Sequence, residues 1–314
     1  MSFKIDFSKC EITPRKYGGA NGNKIGVIYN NEKYLLKFPI RNKKKNDEYS
    51  SGCISEYIGS QIFNLCGIEA QETILGEYNG KLVVACKDFR GDDEDFYDFA
   101  SIKNSIIDSE RCGYSTNLDD ILTTIDKQNI IPSDIVKKRF WDMFIVDTLL
   151  GNFDRHNGNW GFLHNRITNQ YRLAPVFDCG SCLFPQIFKN QLKNILENEE
   201  EIKQRVYVFP RSAIKQYGAG NEKINPFDFL TNTDNKECIQ SLKEITKKIN
   251  LEKIKQIIFE IPVESNDLKL FFNVILKQRK EKILDCAIMK LENTIAYQVN
   301  TMPMQEPTIN FWKP

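Results

Sequence analysis

The segment at residues 151–159, GNFDRHNGN, holds residue types that could transfer a phosphoryl group. Asp154 and Asn159 lie five positions apart. This is the spacing between the aspartate that orients the acceptor hydroxyl and the asparagine that binds magnesium in kinase catalytic loops. A polar turn closed by Asx hydrogen bonds is the structural alternative. Apolar residues frame the segment on both sides, and such a frame around a polar loop favours the functional interpretation.

A second acidic residue follows this loop at the end of an apolar run. Asp178 stands 19 positions after Asn159, and Gly180 completes the local pattern Asp-x-Gly. An aspartate at this point could supply a second carboxylate for magnesium. By itself the pattern would indicate an ordinary turn, so the interpretation depends on the other motifs.

Two charged residues earlier in the chain could hold the phosphates of a nucleotide. Lys37 interrupts the strand-like run YLLKF, where a buried charge is costly unless it is paired. Glu56, on the next predicted helix, could pair with it, and such a lysine–glutamate pair positions the α- and β-phosphates in kinases. The alternative for Lys37 is the solvent-facing position of a half-buried strand.

A glycine-rich stretch, GGANGNK at residues 18–24, comes directly before a strand-like run. Glycines let the backbone approach phosphate and direct N–H groups toward it. A stretch of this composition is more often only a turn. Its place ahead of Lys37, Glu56, Asp154 and Asp178, in the order that a kinase requires, predicts a phosphate-binding role.

These motifs divide between two kinds of predicted secondary structure. Asn30-Asn31-Glu32 and Asn79-Gly80, each between strand-like runs, predict two β-hairpins, and a helical pattern at residues 55–66 lies between them. Longer helices are predicted later, at residues 118–127, 133–150, 194–206, 238–249 and 268–296. We therefore predict an α+β, bilobed, protein-kinase-like fold. It has a small β-rich N-lobe at residues 1–88 and a larger α-helical C-lobe at residues 89–314.

Composition adds limits on partners and location. The 43 Lys and Arg nearly balance the 42 Asp and Glu, so neither nucleic acid nor a membrane is expected as a partner. The N-terminus has no apolar region typical of a secretory signal, and the nine scattered cysteines indicate reduced thiols. We expect a cytoplasmic protein, while export without such a signal stays open. We also expect a monomer, because the last long helix has the apolar pattern of a lobe core.

Taken together, these motifs resemble those of the HipA-like serine/threonine kinases. Residues 151–161 (GNFDRHNGNWG) and 177–182 (FDCGSC) carry the resemblance, which extends over nearly the whole chain. It implies a bilobed kinase that binds ATP and Mg²⁺ in a cleft between the lobes. It also implies transfer of phosphate to serine or threonine of a protein substrate, and to the kinase itself.

The resemblance further implies roles for individual residues. Asp154 would be the catalytic base, and Asn159 and Asp178 would bind Mg²⁺. His156 would be a second catalytic group, with a hydrogen-bonded structural histidine as the alternative. The nucleotide-binding residues would be Gly19, Ala20, Asn21, Gly22, Asn23, Lys37, Glu56, Cys86 and Asp88, with the last two at the adenine hinge.

Two other hypotheses keep the fold but change the function. The pattern Asp-Arg-His-x-x-Asn also occurs in phosphatidylinositol 3-kinase-like enzymes, so this motif alone leaves a lipid or small-molecule acceptor open. A pseudokinase that only binds partners is the other hypothesis. The joint presence of Lys37, Asp154, Asn159 and Asp178 argues against it. The chain lacks the His-Arg-Asp, Asp-Phe-Gly and Ala-Pro-Glu motifs of eukaryotic protein kinases, so their form of loop-phosphorylation control is not expected.

Overall fold

The computed structural model describes residues 5–14, 24–40, 50–107, 112–216 and 222–301, with only the backbone described for residues 294–301. The predicted phosphate-binding residues Gly19, Ala20, Asn21, Gly22 and Asn23 lie outside these ranges. Among the described residues, no helix has the length and apolar character needed to cross a membrane.

A five-stranded antiparallel sheet forms the first part of the molecule. Its strands are β1 at Glu11–Ile12, β2 at Lys24–Tyr29, β3 at Glu32–Lys37, β4 at Thr73–Tyr78 and β5 at Lys81–Lys87. They lie in the order β1-β2-β3-β5-β4. Both predicted hairpins are confirmed, since β2 pairs with β3 and β4 pairs with β5. Their turn residues have the positive φ angles that two-residue hairpins require: Asn30, Asn31, Asn79 and Gly80.

Helix α1, Gly52–Leu65, connects this sheet to the rest of the molecule. It begins three residues before the predicted start at residue 55. One side of the helix packs on the sheet, where Cys53 shares an apolar cluster with Val84. Another side contributes Ile58 and Ile62 to the main core, which includes the later helices. The helix therefore couples the position of the sheet to that of the helical part.

Ten further helices follow among the described residues. They are α2 Phe99–Ile106, α3 Leu118–Lys127, α4 Ser133–Leu150, α5 Lys189–Leu196, α6 Glu199–Lys203, α7 Pro226–Asn232, α8 Lys236–Lys248, α9 Leu251–Glu260, α10 Asn266–Arg279 and α11 Cys286–Thr301. A π-helical turn, Gln204–Val208, continues α6, and another, Lys280–Asp285, joins α10 to α11. The predicted long final helix is thus present as one run. The prediction of a single helix at residues 194–206 is wrong, because helical structure is interrupted at residues 197–198 between α5 and α6.

Helix α4 lies at the centre of the helical part. Every residue from position 140 to 150 is buried, so the helix is surrounded rather than packed on one face. Its bounds match the prediction, with Pro132 as the N-cap and Ser133 as the first helical residue. The helix ends at Leu150, and its C-cap Gly151 has a φ of 64°, the left-handed conformation that glycine adopts at helix ends.

A three-stranded sheet supports the loop that follows α4. It consists of β6 at Glu94–Asp98, β7 at Gly161–Asn165 and β8 at Gln170–Leu173, in that order. Strands β9, Lys215–Gln216, and β10, Glu222–Lys223, form a separate two-stranded antiparallel sheet. Strand β8 ends at Leu173, so Phe177 and Asp178 lie in the segment that follows the sheet.

The α+β prediction, with a β-rich part followed by a helical part, is confirmed. The boundary between residues 88 and 89 stays a prediction, since the main core runs through α1 from one part into the other.

Candidate functional site

A cleft of about 910 Å³ opens between the five-stranded sheet and the helical part. Seven of the described candidate residues line it: Lys37, Glu56, Asp88, Asp154, His156, Asn159 and Asp178. Cys86 does not line it, because its side chain is fully buried beneath the cleft wall. Residues from β3, α1, the loop after α4 and the segment after β8 are therefore brought to one place.

Lys37 is the electrostatic centre of this cleft. Its Nζ lies 3.0 Å from Glu56 Oε2 and 2.9 Å from Asp178 Oδ1. Burial alone would lower the pKa of Lys37, but the two carboxylates outweigh this and raise the pKa well above its usual value. The lysine is therefore a permanent cation. The solvent-facing alternative is wrong, since the Lys37 side chain is only 18% exposed.

Asp178 is the accessible member of this cluster. Its side chain is 45% exposed, whereas that of Glu56 is 2% exposed. The charge of Lys37 is the main reason that the pKa of Asp178 is lowered to about 2. Asp178 also has a φ of 59°, a conformation that is costly for a residue with a Cβ and that often marks functional sites. The carboxylate is thus ionised and open to a ligand in the cleft.

The backbone around Asp154 is held by short hydrogen bonds that leave its carboxylate free. The Asp154 N–H donates to Asn152 Oδ1 at 3.0 Å, and the Asp154 carbonyl accepts from Asn159 Nδ2 at 2.9 Å. The same carbonyl accepts from the His156 N–H at 2.8 Å. Among the described residues, none donates a hydrogen bond to the Asp154 carboxylate. That carboxylate is therefore positioned by its backbone and available to an incoming group.

His156 sits beside Asp154 in a defined orientation. Its Nδ1 accepts a hydrogen bond from the Gly158 N–H at 3.0 Å. A neutral ring in this arrangement carries its proton on Nε2. The side chain is both hydrogen-bonded and part of the cleft wall, so its catalytic role stays a prediction.

Arg155 was not among the predicted site residues, yet it ties the two halves of the site together. Its side chain is 6% exposed and forms a two-pronged ion pair with Asp147, with Nε 2.9 Å from Oδ2. It also donates to the carbonyls of Asn159 and Phe177. Burial alone would lower the pKa of Arg155, but Asp147 raises it well above its usual value. The place of Arg155 in the catalytic loop was the one sequence feature that could have indicated this role. Its partner Asp147 lies in α4, outside the loop, so the motif did not reveal the ion pair.

The end of the cleft nearest the predicted hinge residue Asp88 carries three aromatic rings that the sequence did not reveal. Phe89, Phe96 and Phe177 have ring centroids 5.4 to 5.8 Å apart, and all three line the cleft. Such a group is a natural apolar surface for a planar base. Phe177 directly precedes Asp178, so the apolar surface and the acidic group are linked along the chain.

The two predicted hinge residues make different contacts. The Asp88 N–H donates to the Lys33 carbonyl at 2.8 Å, and the Asp88 carboxylate accepts from Arg90. These bonds engage two of the groups through which Asp88 could contact a base. Cys86 lies in β5, paired with Leu35 of β3. Adenine binding by either residue stays a prediction.

The oxygen atoms in the cleft suit a magnesium ion held jointly with phosphates. Asn159 uses its amide nitrogen on the Asp154 carbonyl, so its side-chain oxygen is the atom that can face a metal. Asp178 offers an ionised carboxylate. Within the described ranges, no group of three or more His, Cys, Asp or Glu side chains could hold a metal alone. Two protein oxygen ligands completed by phosphate oxygens are the usual arrangement for Mg²⁺.

Comparison with known proteins supports this picture. Residues 16–251 match a family model described as the HipA-like C-terminal domain. The serine/threonine-protein kinase CtkA of Helicobacter pylori (strain J99 / ATCC 700824) is 48% identical over 285 residues, which cover 90% of this chain and 87% of CtkA. These matches confirm the resemblance to HipA-like kinases carried by residues 151–161 and 177–182, and the identity over most of the chain shows its similarity to CtkA.

Two solved structures extend the comparison to the fold. The crystal structure of a Helicobacter pylori proinflammatory kinase CtkA matches with a TM-score of 0.85 and 47% identity, covering 91% of this chain and 98% of that chain. HipA from Shewanella oneidensis MR-1, in a complex with HipB and operator DNA, matches with a TM-score of 0.56. Its identity is 13% over 86% of this chain and 67% of that chain, which shows a likeness of fold alone.

Proposed function

The chain belongs to the family of HipA-like C-terminal domains, and we propose that it is an ATP- and Mg²⁺-dependent protein serine/threonine kinase. The observation that carries the proposal is the bridge that Lys37 forms between Glu56 and Asp178, 3.0 and 2.9 Å away. It lies in the same cleft as Asp154 and Asn159. A strand lysine, a helix glutamate, an acidic metal ligand and a catalytic loop are the parts that phosphoryl transfer requires.

The nucleotide-binding half of the site consists of Lys37, Glu56 and the aromatic hinge group. Glu56 is buried and holds Lys37 in place, so the ammonium group can bind the α- and β-phosphates without first being ordered. Phe89, Phe96 and Phe177 offer an apolar surface for the adenine. Bound magnesium would neutralise charge on the transferring phosphate, and Asn159 and Asp178 are the residues that would hold it.

The transfer half of the site consists of Asp154 and the residues that fix its backbone. Its carboxylate orients the acceptor hydroxyl and takes its proton as that oxygen attacks the phosphate. Asn152 and Asn159 hold the Asp154 backbone, so the carboxylate needs little rearrangement before reaction. Arg155 donates to the Phe177 carbonyl and so fixes the position of this loop relative to Phe177 and the adjacent Asp178.

The acceptor is proposed to be a serine or threonine hydroxyl of a protein, including the chain itself. The 48% identical relative carries the name serine/threonine-protein kinase, which favours this acceptor over a lipid or a metabolite. The presence of Lys37, Asp154, Asn159 and Asp178 in one cleft argues against a pseudokinase. A monomeric state, a cytoplasmic location and the absence of a nucleic-acid partner stay predictions.

The direct test is phosphate transfer from radiolabelled ATP by the full chain. We expect label on the chain and on added myelin basic protein, as phosphoserine or phosphothreonine, and none when EDTA removes the metal. Asp154→Asn should reduce transfer by about 100- to 10,000-fold, the range of a lost general base. Asp93→Asn, at an exposed position, is the matched control and should retain full transfer.

Two outcomes would contradict the proposal. Label on phosphoinositide vesicles or on a metabolite, with none on protein, would support the lipid or small-molecule hypothesis. Unchanged transfer by folded Asp154→Asn protein would remove the assigned catalytic base.

A further inference from the structure

Tyr114 presents a half-exposed aromatic ring inside the cleft, although the segment that carries it has no regular secondary structure. The residue is 49% exposed and lines the cleft beside the catalytic loop. Neither the kinase motifs nor the mechanism above uses it. Buried side chains nevertheless form hydrogen bonds to the backbone on both sides of it.

Asn157, in the catalytic loop, holds the backbone on both sides of Tyr114. Its Nδ2 donates to the Gly113 carbonyl and to the Ser115 carbonyl, each at 2.8 Å. Asn157 is completely buried, so these bonds are not in competition with water. The position of Tyr114 is therefore tied to the loop that carries Asp154.

Two further features fix the same segment. The Lys103 ammonium group, also completely buried, donates to the Ser115 carbonyl at 2.9 Å. Gly113 has a φ of 80°, and a Cβ there would overlap the carbonyl oxygen of Ala100. Only glycine satisfies both conditions, so it allows the backbone before Tyr114 to pass directly against the Ala100 carbonyl.

The ring of Tyr114 lies against the catalytic loop itself. A Cβ on Gly158 would come within 2.8 Å of Tyr114 Cε1, so the ring edge covers this glycine. The ring also meets His156 edge-on, with centroids 5.9 Å apart. Its hydroxyl reaches Asp98 Oδ2 at 3.4 Å, which is long for a hydrogen bond between oxygens. The hydroxyl can therefore exchange this weak contact for a better acceptor.

We propose that Tyr114 is an acceptor-binding residue that determines specificity for a peptide substrate. Its ring packs against the extended peptide next to the phosphorylated serine or threonine, and its hydroxyl donates to a peptide carbonyl. An aromatic ring with a polar tip, held rigidly, loses little entropy when it binds a flexible chain. This inference rests on the proposed kinase function and names the surface that selects its substrate.

The test compares Tyr114→Ala and Tyr114→Phe with Tyr171→Ala in the full chain. Tyr171 is a matched control, because it is 40% exposed and stacks on the other histidine, His164, with centroids 4.3 Å apart. The acceptor is myelin basic protein, and KM for the acceptor, KM for ATP and the rate of ATP hydrolysis are measured separately.

For Tyr114→Ala we expect KM for the acceptor to rise about tenfold, as for loss of one aromatic contact, with KM for ATP unchanged. The ratio of protein phosphorylation to ATP hydrolysis should fall by a similar factor. Tyr114→Phe should show a smaller rise, since only the hydroxyl is lost. Tyr171→Ala should match wild type in every measurement.

Three results would overturn the inference. An unchanged KM for the acceptor in an active Tyr114→Ala protein would remove the acceptor role while leaving the kinase function intact. An equal fall in phosphorylation and hydrolysis would show that Tyr114 only supports His156. Absence of any transfer by the wild-type chain would overturn both this inference and the proposed function.

Discussion

Two ion pairs contact residues 177–179, and their side chains differ in exposure to solvent. In the cleft, Lys37 pairs with Asp178, whose side chain is 45% exposed. Behind it, Arg155 pairs with Asp147, and their side chains are 6% and 8% exposed. The first pair can exchange partners with a ligand, whereas the second cannot.

The difference in exposure indicates that Asp178 serves to bind a ligand, whereas Asp147 serves to position the loop. Asp147 accepts from Arg155 and from Asn152 Nδ2, at 2.8 Å for the latter, so its oxygens are used within the protein. Asp178 has Lys37 as its main partner and an open side toward the cleft. A carboxylate that must bind a metal has to remain accessible, while one that positions a loop is most effective when it is buried and fully paired.

The largest expected effect on activity is at the partly exposed Lys37–Asp178 pair. Asp178→Ala should abolish Mg²⁺-dependent ATP turnover, with a fall of about 1,000-fold or more in kcat, because the site loses a ligand that neutralises phosphate charge. The protein should remain folded, because Lys37 keeps Glu56 as an ion-pair partner 3.0 Å away. Asp95→Ala, which breaks a surface pair with Arg166, is the control and should leave turnover unchanged. Undiminished turnover by folded Asp178→Ala protein would refute the metal assignment.

Loss of the buried Arg155–Asp147 pair should reduce stability as well as activity. Arg155→Met leaves Asp147 charged and buried, so the free energy of unfolding should fall by about 3–5 kcal/mol, as urea denaturation would measure. The double variant Arg155→Met/Asp147→Leu should recover most of that stability. It should not recover kcat, because the bonds from Arg155 to the Asn159 and Phe177 carbonyls remain lost.

Arg139→Met is the control for this comparison. Within the described residues, Arg139 makes a single hydrogen bond, to the Ala174 carbonyl, so its loss should be mild. Full activity in the double variant would show that Arg155 contributes stability alone and does not position the loop.

The smallest expected effect is a change in one titration. In the metal-free protein, Lys37 is the main cause of the pKa of about 2 at Asp178. This pair stabilises the fold fully above the usual pKa of 3.8, and its contribution is lost as the pH falls toward 2. We expect Lys37→Met to raise the pKa of Asp178 toward 3.8, measured by carboxyl ¹³C NMR. Lys33→Met, which removes a surface pair with Asp92, should leave that pKa in place, and an unchanged midpoint in Lys37→Met would contradict the assignment.

Much of the secondary structure followed from local sequence. Asn79-Gly80 closes a hairpin because both residues accept positive φ angles, and α3 and α4 begin and end at the predicted residues. The helix predicted at residues 194–206 failed where Asn198 occurs, since its side chain accepts from the Glu200 N–H and starts a new helix. A polar side chain that competes for backbone groups interrupts an apolar pattern that otherwise continues.

Parts of the site could also be predicted from the sequence, because residues on one loop lie close in space whenever they lie close in sequence. Asp154 and Asn159 belong to a single turn and could be paired by counting positions. The aromatic group at the hinge could not, since Phe89, Phe96 and Phe177 come from three separate segments. Arg279 is a similar case. It is buried, and within the described part of the chain it pairs with no carboxylate and donates instead to the carbonyls of Thr148 and Arg205.

The loop at residues 151–159 and the order of motifs around it determined, from sequence alone, the class of chemistry and the family. Only the tertiary structure decided which charges are reactive. Lys37 and Asp178 are 141 positions apart, yet their contact gives one a permanent charge and the other a lowered pKa. A side chain's charge depends on its burial and on its neighbours in space, and the folded chain supplies both.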